Sequence, residues 1–155
     1  MAQNYDTVDL RWTWNGDYSL SAGDLADTSS DMLLSLRQEV HTVCASSLKD
    51  WENYPFLGAT IDDFIGAPNN KGTAAALHDR LKISLIAAGV VAEEDLAIRI
   101  VPVHASRVLI LLGIKAAATA QNELDYSERI VVSMVFDTVE QQVVFFETTP
   151  QLIPS

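Results

Sequence analysis

Residues 107–115 read Arg-Val-Leu-Ile-Leu-Leu-Gly-Ile-Lys, and the meaning of the seven uncharged residues between the two cations decides the fold. Seven residues fall far short of the roughly 20 needed for a helix to span a bilayer. The stretch is apolar at odd and even positions alike, which predicts a strand covered on both sides, hence a central strand of a sheet. Its neighbours carry the two-residue period of half-buried strands. Upstream, Leu96, Ile98 and Ile100 alternate with Ala97, Arg99 and Val101, and His104-Ala-Ser106 makes a short link. Downstream, after a polar connection over 121–125, Ile130, Val132, Met134 and Phe136 alternate with Arg129, Val131, Ser133 and Val135. A turn signal over 137–140 leads to a last strand over 142–147 containing Val143-Val-Phe-Phe146. The second half is therefore read as β, with a C-terminal hairpin over 129–147.

The first half has the helical period. Met32, Leu33, Leu36, Val40 and Val43 predict an amphipathic helix over 31–45, with Ser29 or Ser30 as cap and Asp31 favourably placed at its positive end. Leu77, Leu81 and Leu85 predict a second helix from Thr73, its expected cap, to about Ala88, ended by Gly89. At the start of the chain Val8, Leu10 and Trp12 alternate with Asp9, Arg11 and Thr13. Asn15-Gly16 follows, suited to a tight turn because both residues tolerate positive φ, so a hairpin is expected over 6–20 and a loop over 21–30. The fold class is α+β: two or three helices in the first half packed on a mainly antiparallel sheet in the second, plus an N-terminal β-hairpin, all in one domain, 1–155.

Composition narrows the function. The 155 residues are 48% hydrophobic and carry a formal net charge of −11. Phosphate binding depends on Lys and Arg, so nucleic acid and anionic membrane surfaces are not expected as partners. One cysteine, Cys44, rules out an intramolecular disulfide, and the opening Met-Ala-Gln-Asn-Tyr lacks a basic n-region, so a soluble, reduced chain made in the cytoplasm is expected.

Candidate chemistry lies in residues 51–66, Trp-Glu-Asn-Tyr-Pro-Phe-Leu-Gly-Ala-Thr-Ile-Asp-Asp-Phe-Ile-Gly. Asp62 and Asp63 could suggest an acid–base dyad, but adjacent side chains diverge by about 100° on a helix or 180° on a strand. As first-turn residues of a short helix capped by Thr60 they have a simpler role. His41, His78 and His104 have no metal-ligand spacing, and Cys44 falls beside Val40 and Val43, where a buried inert thiol is expected. No nucleophile elbow or phosphate loop occurs, so no catalytic, cofactor or metal residue is assigned. Core packing is the expectation for Trp51, Tyr54, Phe56 and Phe64, with a partner interface as the second reading.

The segment Tyr54-Pro-Phe-Leu-Gly58-Ala-Thr-Ile61-Asp-Asp-Phe-Ile-Gly66 resembles the Pro-x-Phe/Tyr-Gly-x-x-Leu signature of small wedge proteins of contractile-phage baseplates. These are the sheath initiators, with relatives in type VI secretion baseplates. Pro55, Phe56, Gly58 and Ile61 are the motif positions. Leu96-Ala-Ile-Arg-Ile-Val-Pro-Val103 is similar to the family's following strand, and Trp14-Asn-Gly-Asp-Tyr-Ser-Leu-Ser-Ala-Gly-Asp-Leu25 to its beginning in phage members. The Glu-Pro-Arg of many members is replaced here by Val90-Val91-Ala92, so that docking contact does not carry over. The resemblance implies a non-enzymatic virion subunit, present in several copies, beside other wedge proteins, the central hub, spike and tube proteins, and the tail sheath, whose first ring it would template by strand addition. Trp12, Trp14, Ile130, Val132, Met134, Phe136, Val143 and Phe145 are the candidate interface residues. A neck or tail-terminator subunit is the alternative, and a small cell-wall hydrolase using Asp62 or Asp63 a more distant one.

Overall fold

The computed structural model describes residues 8–13, 17–29, 32–115, 128–137 and 142–146; at 32–33, 114–115, 128–137 and 142–146 it describes the backbone. In chain order the elements are β1 (Leu20–Ser21), β2 (Asp24–Leu25), α1 (Met32–Ala45), α2 (Lys71–Ala87), β3 (Leu96–Pro102), β4 (Arg107–Lys115), β5 (Glu128–Asp137) and β6 (Gln142–Phe146). The chain is α+β. β3 to β6 form a four-stranded antiparallel sheet in which spatial order follows sequence order, so β4 is an interior strand, as its two-sided apolar pattern requires.

Both helices cover one face of that sheet, α2 along β3 and α1 along β5. On β4 the inward positions Val108, Ile110 and Leu112 are buried, and they meet Leu36, Val40 and Val43 of α1 and Leu77, Leu81 and Leu85 of α2 in one core. Each such aliphatic side chain contributes about 1.5–3 kcal/mol relative to exposure. The opposite sheet face is more open: Leu109 and Leu111 are half-buried, and Arg99 and Val101 are exposed.

Local signals explain where the elements stop. α2 begins two residues before Thr73, because Asn70 is the N-cap and its side chain accepts the Thr73 N–H at 2.9 Å. It ends at Gly89, whose φ of 71° only glycine adopts without strain. The Gly89 N–H donates to Ile86 O at 3.0 Å and the Val90 N–H to Leu85 O at 3.2 Å, a Schellman closure completed by burial of both Val90 and Leu85.

Several expectations are corrected. Residues 21–30 are not a plain loop: β1 and β2 pair antiparallel across Ala22-Gly23, with φ values of 53° and 88°. The expected hairpin over 6–20 is described only in part. Trp12 bridges Tyr18 and the Ser19 N–H donates to Arg11 O at 2.9 Å, while Trp14 and the Asn15-Gly16 turn lie outside the described residues. The Arg11 N–H in turn donates to Ala26 O, so three short extended segments bond to one another. Ser29 does not cap α1. Its N–H and hydroxyl both donate to the Asp27 carboxylate, which holds that carboxyl below its usual range; Ser30 and Asp31 lie outside the described residues. The connection over 121–125 and the turn after Asp137 also lie outside them.

This N-terminal unit is fastened to α1 through Gln38. Its Nε2 donates to Leu10 O and its Oε1 accepts the Trp12 N–H, both at 3.0 Å. Covered by the unit on one side and the sheet on the other, Ser35 to Gln38 are all buried.

Candidate partner interface

The corner after α1 is built by backbone geometry. A helix leaves its last carbonyls without intrahelical partners. Here the returning chain supplies donors: the Ala59 N–H reaches Val43 O at 2.9 Å and the Thr60 N–H reaches Ser46 O at 3.2 Å. Gly58 permits the approach. Its φ is 131°, and a Cβ on it would lie 2.6 Å from both the C and O of Ser47 and 2.8 Å from Ser46 O. Thr60, itself at φ 49°, does not cap the 3-10 turn Ile61–Phe64 with its side chain; its Oγ1 accepts the Leu48 N–H at 2.9 Å.

Between these anchors, residues 46–58 are cross-braced. The Ser47 N–H donates to Asp50 Oδ2 at 2.7 Å, the Lys49 N–H to Pro55 O at 3.0 Å and the Leu57 N–H to Tyr54 O at 2.9 Å. The Trp51 indole N–H donates to Ser46 Oγ at 3.0 Å, and that hydroxyl donates to Thr42 O at 2.7 Å. The indole is thus oriented from α1.

What the platform displays corrects the expectation of core packing. Trp51 is 45% exposed, Tyr54 56%, Phe56 52% and Leu48 46%. The Tyr54 and Phe56 rings meet edge to face with centroids 6.2 Å apart. Phe64 alone of the four expected core aromatics packs against the core. The motif positions divide accordingly: Gly58 and Ile61 are buried and fix the corner, while Pro55 and Phe56 are exposed. Oriented, half-exposed Trp and Tyr side chains are the type that dominates interface energies. Next to them in the chain are exposed charged residues, Lys49, Asp50 and Glu52.

Other expected residues fall elsewhere. Trp12 is half-buried, its ring 5.0 Å from that of His41 on α1 in an edge contact, so it fastens the N-terminal unit. Burial holds the His41 imidazole below its usual pKa. The β-ladder sets Val132, Met134 and Phe136 opposite Leu112, Ile110 and Val108, and Phe145 and Val143 opposite Met134 and Phe136. Cross-strand neighbours share a face, so these positions lie on the helix-covered side of the sheet. Ile130 sits opposite Gly113, beyond a register shift.

Asp62 and Asp63 are exposed, and Asp63 Oδ2 lies 3.4 Å from Arg80 Nη1. Cys44 is buried in the core, which pushes its thiol up to about 12. Such a thiol stays protonated at neutral pH and is a poor nucleophile. Among the described residues no three His, Cys, Asp or Glu side chains are grouped to hold a metal ion, and no helix is long and apolar enough to cross a membrane. Comparison of the chain with family models, with curated proteins and with solved structures returns no match.

Proposed function

We propose that the chain is a structural subunit of a contractile-tail baseplate wedge, joining the hub and tube region to other wedge proteins and starting the first sheath ring. The observation that carries this reading is the fixed display of Trp51, Tyr54 and Phe56 around the Pro55–Ile61 motif. A motif that served the fold alone would bury its aromatic residue; here the Phe56 ring is half-exposed against Tyr54, beside a Trp51 indole braced from α1. The sequence resemblance supplies the identity of that neighbour. Strand addition to the sheath would use the edge of β6, where backbone groups provide affinity.

The combined variant Trp51→Ala, Tyr54→Ala, Phe56→Ala tests this. These side chains are half-exposed, so the fold should persist, with a circular dichroism spectrum matching the parent. Incorporation of the variant into particles, read by quantitative blotting, should fall by about tenfold or more, as loss of aromatic anchors implies. A folded variant that enters tails at the parental level would sink the proposal.

A further inference from the structure

Helices cover one face of the four-stranded sheet, and the strand register fixes what the other face presents. Cross-strand neighbours share a face, and alternate residues of a strand return to it. Val101, Leu109, Val135 and Val144 therefore form one row across β3, β4, β5 and β6. The row on one side of it is Arg99, Leu111, Ser133 and Phe146. On the other side lie Arg107, Asp137 and Gln142, with the Val103 N–H donating to Arg107 O at 3.0 Å. Val101 is 42% exposed and Val103 53%, and among the described residues no helix lies over these rows. A sheet that is apolar on both faces takes a packing layer on each.

Charge and symmetry select that layer. A chain of net charge −11 repels its own copies except through a face without excess carboxylates, and these three rows hold two cationic positions and one anionic. We infer that this face packs on the same face of a second copy, about a two-fold axis that runs parallel to the strands between β4 and β5. That axis lays β4 of one copy on β5 of the other, so Leu109 meets Val135 and Arg107 meets Asp137, each contact occurring twice. An axis at right angles to the strands would instead set Arg107 on Leu111 and Asp137 on Ser133. Packed sheets cross at about 30°, which displaces the outer strands more than these two central ones. Four strands of about seven residues span roughly 20 Å by 20 Å. Two such faces bury about 1,000–1,500 Å² in total, enough for a specific interface at the small end of the range. The inference does not rest on the baseplate role.

The test is the mass of the whole chain in solution by analytical ultracentrifugation, from about 1 to 200 μM. The average mass should rise with concentration from 17.0 kDa towards twice that value. Val101→Lys alters an exposed side chain, so the fold should persist, and symmetry brings the change into the interface twice; association should weaken by about tenfold or more. Arg107→Asp and Asp137→Arg, each with a circular dichroism spectrum matching the parent, should each stay monomeric. Mixed in equal amounts they should form a dimer, because one variant then carries carboxylates at both positions and the other guanidiniums. A charge pair that acts within one chain only gives no such rescue. A parent chain still monomeric at about 200 μM, or a mixture no more associated than its components, would overturn the proposal. A dimer indifferent to Val101→Lys would overturn it too and would point to pairing along the β6 edge, across the sheet from β3.

Discussion

Gly58→Ala should cost about 3–5 kcal/mol of stability. Two effects add. At φ 131° an L-residue is strained, typically by 1–3 kcal/mol, and the new Cβ would press on the backbone of Ser46 and Ser47 at 2.6–2.8 Å. Those atoms cannot yield cheaply, because Ser46 O accepts the Thr60 N–H and the Ser47 N–H is bound to Asp50. Gly66→Ala separates the terms: Gly66 has φ 79° but nothing within 4 Å of its would-be Cβ, so strain alone should remain, about 1–2 kcal/mol. Urea unfolding of the two variants checks this. A Gly58→Ala variant within about 1 kcal/mol of Gly66→Ala would mean that the close approach is not there. With domain stabilities of about 5–15 kcal/mol, Gly58→Ala would leave a marginal protein.

Leu81→Ala should cost nearly as much by the opposite mechanism. Leu81 is 0% exposed, at the centre of the cluster where α2 meets α1 and the sheet. Removing its branched end loses the transfer free energy and leaves a cavity that helices fixed at both ends cannot close, so about 3–4 kcal/mol is expected. Ile83, two residues on and 66% exposed, gives the contrast: Ile83→Ala should change stability by less than about 0.5 kcal/mol. Thermal or urea unfolding of the pair measures the difference. Similar losses at both positions would mean that α2 presents a different face to the core.

Much of the fold was legible because burial imposes a period. Leu77, Leu81 and Leu85 mark the covered face of α2, and Val108, Ile110 and Leu112 the covered face of β4. The central position of β4 followed from the absence of polar residues on either of its sides. What was not legible depends on contacts between distant segments or on backbone choices that sequence disfavours. Ala22 at positive φ hides the β1–β2 turn, since an alanine gives no turn signal there. Asn70 wins the cap from Thr73 because α2 starts one turn earlier than its apolar stripe does. The sequence predicts Trp51, Tyr54 and Phe56 as core because large aromatic residues usually bury much of their surface, and nothing local says that the loop holds them outward.

The account's central claim concerns where the protein sits. Contractile tails assembled with a tagged copy of this chain, imaged by cryo-electron microscopy with a label on the tag, test it most directly. The account predicts label on the baseplate, around the tube and directly beneath the first sheath ring, in several symmetric copies. Label at the neck, or tails that carry none, would contradict it.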